Sequence, residues 1–231
     1  MRAASRVFLL LLLTAPAWAQ SDLESRLSTL TGRERARALA ELTQTYRAEN
    51  PRKALQYGNE ALVVLKQHPD AHYEAMALSE MAWAYMVLGE YEAAVDHAER
   101  GRDIARAHGD MQGLGQAINN LGAIAGRRGD GLLAAEMFSR SLEIRREHGD
   151  EVEIALSLNN LGVVHSFNLA DYDRALEYFL EALETWERVD NERYLALTLN
   201  NIGVIYKTKL FHTEILNIVN NHRIMIKNSK L

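Results

Sequence analysis

Two histidines stand where a metal ion could be held. His68 and His72 are four residues apart, a spacing that lets two imidazoles on one helix face reach the same Zn²⁺. Pro69 and Asp70 stand between them, and these residue types favour a break between two helices and the start of the second one. We therefore expect His68 and His72 to be solvated loop and cap residues, and we expect no metal site.

Short motifs for catalysis are missing from the chain. It has no glycine-rich phosphate loop, no nucleophilic serine elbow and no zinc-binding His-Glu-x-x-His helix. Gly113, Gly115 and Gly122 follow no predicted strand, which a dinucleotide site would require. Glu151 and Glu153 fall in the first turn of a predicted helix, where the helix dipole favours negative charge. We expect no catalytic residues and no cofactor, so the protein is predicted not to be an enzyme.

Asparagine recurs in adjacent pairs, at Asn119 and Asn120, Asn159 and Asn160, and Asn200 and Asn201. Asparagine is a poor residue for a helix interior, so its recurrence requires an explanation. Its amide both donates and accepts hydrogen bonds, which suits binding to the backbone of an extended peptide. The alternative is structural, with one asparagine of each pair joining neighbouring helices and satisfying buried backbone groups. Both roles can hold together.

The asparagine pairs belong to an internal repeat of about 40 residues. The string Asn-Asn-Leu-Gly at 119–122 returns at 159–162, and returns as Asn-Asn-Ile-Gly at 200–203, at offsets of 40 and 41. Glycine turn signals divide each unit into two helical patterns, and Asp150 with Glu153 predicts a capping box at one junction. The sequence predicts an all-α array of antiparallel helix pairs. The predicted segments are a capping helix at 20–32, repeats at 33–70, 71–110, 111–150 and 151–191, a partial repeat at 192–208, and a divergent tail at 209–231.

The tail breaks the repeat pattern, because Ile215 stands where a small residue is expected and no glycine precedes it. Phe211, Ile215, Ile218 and Val219 have the spacing of an amphipathic helix that would cover the last repeat. The alternative is that residues 208–231 come from a frameshift or a gene truncation, and that the native array continues.

The first 19 residues have the pattern of a secretory signal peptide. Arg2 and Arg6 are followed by an apolar run and by a small-x-small cleavage site at 17–19. The apolar run is shorter than the roughly 20 residues of a membrane-spanning helix. We expect an exported protein, periplasmic in a Gram-negative bacterium and otherwise secreted, with no membrane insertion of the mature chain. The chain has no cysteine and a net charge of -5, which becomes -7 without the signal, and this disfavours nucleic acid as a partner.

The units resemble tetratricopeptide repeats. Their first helices carry Leu121-Gly122, Leu161-Gly162 and Ile202-Gly203 with Tyr206, and their second helices carry Ala134 with Phe138 and Ala175 with Phe179. The period of about 40 residues is similar to the longer repeats of kinesin light chains and of bacterial signalling proteins. The alternative, a HEAT-like array, shares the period but not these small and aromatic positions. The resemblance implies a right-handed α-α superhelix.

The same resemblance implies a peptide-binding surface on the concave side, formed by the first helix of each repeat. Asn120, Asn160 and Asn201 are the preferred contacts, and Glu80 suggests a neutral or mildly basic peptide with apolar pockets near Trp83 and Val163. The full predicted set is Asn119, Asn120, Asn159, Asn160, Asn200, Asn201, Trp83, Glu80 and Val163. The predicted function is a protein- or peptide-binding scaffold outside the cytoplasm. The alternative is the extracytoplasmic sensor region of a membrane histidine kinase or diguanylate cyclase.

Overall fold

The computed structural model describes the backbone of residues 23–228 and the side chains of residues 23–210. The predicted signal peptide at 1–19 lies outside the described residues. Within the described part the chain is α-helical, which confirms the predicted fold class. The helices are α1 (described over 23–26), α2 (Gly32–Tyr46), α3 (Pro51–Gln67), α4 (Ala71–Leu88), α5 (Tyr91–Ala107), α6 (Met111–Arg128), α7 (Gly131–His148), α8 (Glu151–Phe167), α9 (Tyr172–Arg188) and α10 (Glu192–Asn228).

Consecutive helices pack in pairs, and the pairs stack on one another. Helices α2 with α3, α4 with α5, α6 with α7 and α8 with α9 make the four pairs. The first helices of the pairs, α2, α4, α6 and α8, also contact one another in sequence. They form a continuous surface that we call the inner face.

Aspartate caps begin most of these helices, because a side-chain oxygen accepts a backbone N–H bond that the first turn would leave unmade. Asp110 Oδ1 accepts from Gly113 N at 2.9 Å, and Asp150 Oδ1 accepts from Glu153 N at 2.8 Å. The predicted capping box at Asp150 is only half formed, since Glu153 Oε1 instead accepts from Gln112 Nε2 at 3.4 Å. Gly89, in the left-handed conformation with φ 81°, ends α4.

The turn between α8 and α9 holds the extra residue of the 41-residue spacing. Ala170 has φ 55°, a left-handed conformation that costs an alanine about 1 kcal/mol or more. Asn168 reaches back to the preceding repeat and donates from Nδ2 to the Gly126 carbonyl at 3.2 Å. The insertion is thus absorbed in one strained residue without disturbing either helix.

Small residues lie where the two helices of a pair cross. A Cβ atom on Gly122 would stand 2.9 Å from the Phe138 ring, and one on Gly162 would stand 2.6 Å from the Phe179 ring. Both rings are buried, at 3% and 0% exposure. Because the glycine hydrogen leaves room for a whole aromatic ring, the helices approach closely enough to enclose a dry core.

The two ends of the array lie outside the four helix pairs. The described helix of the amino-terminal segment covers only 23–26, but Glu24 still anchors it to α3 by accepting from Tyr57 Oη at 2.8 Å. At the other end, α10 runs without a turn from Glu192 to Asn228, so the predicted tail at 209–231 is helical in its described part and continues the first helix of the partial repeat. No glycine or proline follows Gly203, and nothing in the sequence interrupts the helical hydrogen bonds there.

Candidate peptide-binding cleft

A cleft on the inner face joins the first three repeats to the start of the fourth. It consists of two hollows of about 270 and 200 Å³ that share Gln44, Gln116 and Glu153. The larger hollow is also lined by His72, Met76, Ser79, Glu80, Gln112 and Gly113, and the smaller one by Arg47, Trp83, Asn119, Arg145, Asp150, Val152, Leu156 and Asn160. We call the two together the cleft.

Three glutamines contribute side-chain hydrogen-bonding groups to the cleft. Gln44 and Gln112 are exposed, and their amides make only long bonds of 3.4 Å, to Glu80 and to Glu153. Gln116 is half-buried and donates to Asn120 Oδ1 at 3.2 Å. A bond of 3.4 Å is near the limit of a useful N–H···O contact. Gln44 and Gln112 can therefore exchange these partners for a ligand at little cost.

A buried ion pair forms one wall of the cleft. The Arg47 guanidinium bonds to the Glu80 carboxylate, and these residues are 8% and 1% exposed. The same guanidinium lies over the Trp83 ring, 4.9 Å from its centroid. Glu80 was the reason to predict a neutral or mildly basic ligand, but in the structure its charge is compensated by Arg47 of the same protein.

A second buried arginine supports the floor of the cleft. Arg145, 2% exposed, comes from α7 and donates to Gln116 Oε1 at 2.7 Å and to Ser157 Oγ at 2.9 Å. Burial lowers the pKa of this guanidinium from its ordinary value, while the nearby carboxylates of Glu153 and Asp150 act in the opposite direction. Arg145 joins α6, α7 and α8, and so fixes the position of Gln116.

The asparagine pairs form a ladder along the inner face. Asn120 Nδ2 donates to the Ser79 carbonyl at 2.7 Å, Asn160 Nδ2 donates to Asn119 Oδ1 at 2.9 Å, and Asn201 Nδ2 donates to Asn159 Oδ1 at 3.4 Å. In every case the second asparagine of a pair donates to the first position of the preceding pair. The ladder therefore joins neighbouring repeats, as the structural alternative predicts.

The structure brings together only part of the predicted site. Trp83, Asn119 and Asn160 line the smaller hollow and Glu80 lines the larger one, but these side chains are 8% exposed or less. Asn120 and Asn201, two of the preferred ligand contacts, have their amide N–H groups engaged by the preceding repeat instead.

The remaining predicted residues lie away from the cleft. Asn159 is 1% exposed and accepts from Thr198 Oγ1 at 3.5 Å, while Asn200 is exposed on α10. Val163 packs with the cluster around Phe179, apart from the cluster that contains Trp83. The apolar pockets predicted near Trp83 and Val163 therefore belong to two different parts of the core, and only Trp83 lines the cleft.

Sequence reasoning missed the glutamines and both arginines. Gln112, Gln116 and Asn120 recur at intervals of four along α6, and this spacing places polar side chains on one helix face. This spacing is the sequence signal that marks Gln112 and Gln116. Nothing in the sequence marks Arg145, because it comes from a second helix and looks like an ordinary surface arginine of α7.

The two histidines of the metal hypothesis lie on different elements. His68 caps the end of α3, and His72 is in α4, where its Nδ1 lies 2.8 Å from Asp110 Oδ2. From residue 23 to residue 210, no three His, Cys, Asp or Glu side chains cluster closely enough to hold a metal ion. None of the described helices is long and apolar enough to cross a membrane.

Residues 153–211 match the family model of the tetratricopeptide repeat, and no curated protein matches the chain. Among solved structures, BtubC (BKLC) from P. vanneervenii is similar over 82% of this chain and 81% of its own, with 22% identity and a TM-score of 0.66. A Rap protein complexed with competence and sporulation factor is similar over 83% of this chain, with 16% identity and a TM-score of 0.71.

A third similar structure is the signal transduction ATPase with a tetratricopeptide repeat sensor from Pyrococcus horikoshii, at 18% identity, a TM-score of 0.63 and 87% of this chain. The chain spans 60% of the Rap protein and 33% of the ATPase. At these identities the likeness concerns the fold. The protein has the helical-solenoid fold of tetratricopeptide repeat proteins, and its residues 153–211 match that family.

Proposed function

We propose that this protein is a non-enzymatic scaffold that binds a protein or an extended peptide in the cleft, and that it works outside the cytoplasm. The observation that carries this proposal is the exposed pair Gln44 and Gln112, whose weakly bonded amides stand over a floor fixed by buried side chains. A rigid surface with a few exchangeable polar groups suits binding, because little order has to be created when the ligand arrives.

The chemistry of the cleft favours a neutral extended segment. A glutamine amide offers two donors and an acceptor, which match the alternating N–H and C=O groups of a peptide backbone. The half-buried Met76 lines the larger hollow and Leu156 the smaller one, so each can receive an apolar side chain. Because Arg47 compensates the Glu80 charge, Glu80 itself gives no reason to expect a basic ligand.

The structural neighbours agree with a binding role. The similar Rap protein is seen complexed with competence and sporulation factor, so a solenoid of this kind can hold a second molecule. The proposed location rests on the signal-peptide pattern of residues 1–19. It is checked by the mass of the mature protein from the extracytoplasmic fraction, where a chain beginning at Gln20 is expected and an uncleaved chain would contradict export.

The second candidate, a sensor region of a larger signalling protein, is favoured by one similarity. The similar ATPase from Pyrococcus horikoshii is described as having a tetratricopeptide repeat sensor, and this chain spans a third of it. Resequencing the gene from source DNA past the codon for Tyr206 tests this candidate. A frame that continues into more repeats, a membrane helix and an output domain supports the sensor, and a frame that stops after Leu231 rejects it.

Binding is tested by panning a random-peptide display library on the immobilised protein and measuring the enriched peptides by fluorescence anisotropy. The double variant Gln44→Ala, Gln112→Ala is expected to bind about tenfold more weakly, because two hydrogen bonds of about 0.5–1.5 kcal/mol each are lost. The matched control is Gln56→Ala, Gln67→Ala, which removes two exposed glutamines from α3, outside the cleft.

Equal affinity of both double variants would exclude the cleft as the binding site. The emission of Trp83, which lines the smaller hollow, gives an independent signal. A peptide bound in the cleft is expected to shift it, and the Trp83→Phe variant serves as the blank.

A further inference from the structure

Glu153 lies in the middle of the cleft, and its charge is not paired inside the described part of the protein. It is one of the residues that line both hollows. Its Oε1 atom accepts only the 3.4 Å bond from Gln112, and its Oε2 atom is buried without a hydrogen-bond partner. Between residues 23 and 210, no lysine, arginine or histidine forms an ion pair with this carboxylate. The charge of Glu153 is therefore left for a ligand to neutralise.

The other charged groups of the cleft are compensated or lie beneath its surface. Glu80 is paired with Arg47, and Asp150 Oδ1 accepts the capping bond from Glu153 N at 2.8 Å. Arg145 is 2% exposed, and its guanidinium is held by bonds to the two neighbouring helices. Asp150 is exposed and Glu153 is half-buried, so a ligand that enters meets these carboxylates before it meets either guanidinium. This arrangement favours a cationic ligand group over an anionic one.

A buried donor in the wall of the smaller hollow needs an acceptor. Trp83 lines this hollow and is 5% exposed, but its Nε1–H group has no hydrogen-bond partner among the described residues. Buried donors without a partner are rare in native proteins, because leaving one unpaired costs stability. A carbonyl oxygen would satisfy it. The smaller hollow thus combines an acceptor for a cation, at Glu153, with a donor for a carbonyl, at Trp83.

We propose that Glu153 binds a primary ammonium group of the ligand, and that Trp83 donates to a carbonyl oxygen of the same segment. This inference rests on the proposed peptide binding and adds a charge requirement to it. The rest of the segment stays neutral, where Gln44 and Gln112 meet its backbone. Glu153, rather than Glu80, is then the acidic contact of a mildly basic peptide.

The geometry of the carboxylate favours an ammonium over a guanidinium. A guanidinium binds a carboxylate best by bonding to both oxygens at once, which the buried Oε2 atom of Glu153 does not permit. An ammonium is a compact charge that needs only one oxygen. Two parts of a peptide carry a primary ammonium, the lysine side chain and the free N-terminus, and a backbone carbonyl lies close to both.

Four libraries of synthetic random decapeptides test the charge requirement. All are amidated at the C-terminus and contain only alanine, serine, glutamine and leucine at their random positions. The first is acetylated and neutral, the second is acetylated with one lysine, the third has a free N-terminus and no lysine, and the fourth is acetylated with one aspartate. Each is passed over the immobilised protein, and the retained peptides are quantified by mass spectrometry.

We expect the wild type to retain the lysine library or the free N-terminus library about tenfold better than the neutral one, because a charge-assisted hydrogen bond is much stronger than a neutral one. Which of the two is retained identifies the source of the ammonium. Glu153→Gln is expected to lose this preference. The matched control is Glu151→Gln, which removes the same charge from the same helical turn at an exposed residue that pairs with Arg188 and does not line the cleft.

Salt gives a measurement that needs no variant. Raising the sodium chloride concentration from 50 to 500 mM is expected to weaken the retention of the ammonium library several-fold and to leave that of the neutral library nearly unchanged. Thermal unfolding followed by circular dichroism checks that both variants are folded.

The outcomes separate this inference from the proposed function. Equal retention of the four libraries by the wild type, a preference for the aspartate library, or an unchanged preference in Glu153→Gln would overturn the ammonium site and leave peptide binding intact. A preference for ammonium that does not weaken with salt would also overturn it. Retention of none of the libraries would overturn both.

Discussion

Removing a single side-chain amide tests whether the asparagine ladder is structural. Asn120 is 1% exposed, donates to the Ser79 carbonyl at 2.7 Å and accepts from Gln116 at 3.2 Å. Asn120→Ala removes both bonds from a dry site between two repeats, and each bond contributes about 1 kcal/mol. We expect the free energy of unfolding to fall by about 2 kcal/mol. For a protein of this size that lowers the midpoint of thermal unfolding by about 4–8 °C.

The assay is thermal unfolding followed by circular dichroism at 222 nm, with Asn200→Ala as the matched control. Asn200 is exposed on α10, so its loss is expected to change the midpoint by less than a quarter as much. The unfolding midpoint of Asn160→Ala is expected to lie between those of the other two variants. This substitution leaves Asn119 Oδ1 without its donor, and Asn160 itself is 8% exposed. If Asn120→Ala and Asn200→Ala have the same unfolding midpoint but Asn120→Ala no longer binds peptide, the asparagine ladder contacts the ligand. The structural interpretation is then refuted.

Three further outcomes follow from the core and its buried charges. Gly162→Ala forces a methyl group against the buried Phe179 ring, and we expect it to lower the free energy of unfolding, measured in urea, by about 1–3 kcal/mol. Adding Phe179→Leu should restore part of this stability. An unchanged stability of Gly162→Ala would contradict the close approach of the two helices. Glu80→Gln leaves Arg47 without its counter-charge and is expected to lower the free energy of unfolding by up to about 3–5 kcal/mol. The double variant Glu80→Gln, Arg47→Met should lose less stability, and an equal loss would show that the two residues are not coupled. Burial lowers the pKa of His165 below 6.5, so the folded state loses stability as the pH falls below 6.5. The unfolding midpoint of His165→Gln should therefore depend less on pH between 7.5 and 5 than that of the wild type. The same pH dependence in both proteins would exclude His165 as the cause.

Much of the fold could be predicted because local sequence signals that recur in each repeat determine it. The aspartate caps, the glycine turns and the pairing of small with aromatic residues each act within one helix or one helix pair. Such signals are readable without knowing the rest of the structure. The end of the array was harder to predict, because α10 continues past residue 208 and the sequence indicates this only by lacking a turn signal there.

The cleft was predicted less well, for a reason that lies in helix geometry. Neighbouring residues on a helix point about 100° apart, so one member of each asparagine pair must turn toward a neighbouring helix. The resemblance to the family predicts that Asn120 and Asn160 contact the ligand, but their side-chain amides donate hydrogen bonds to the preceding repeat. Arg47 and Arg145 meet their partners 33 and 29 residues away along the chain, and no local pattern reports such contacts.

The direction of the ladder makes the array modular. Asn120 is satisfied by a backbone carbonyl at Ser79, whereas Asn160 is satisfied by a side-chain oxygen at Asn119, so the acceptor position tolerates either kind of group. Excision of residues 111–150 would therefore bring Asn160 to the Ser79 carbonyl with the donor already in place. A shortened protein with one repeat fewer is then expected to fold, and repeats of this type can be removed or duplicated as whole cassettes when arrays of a chosen length are built.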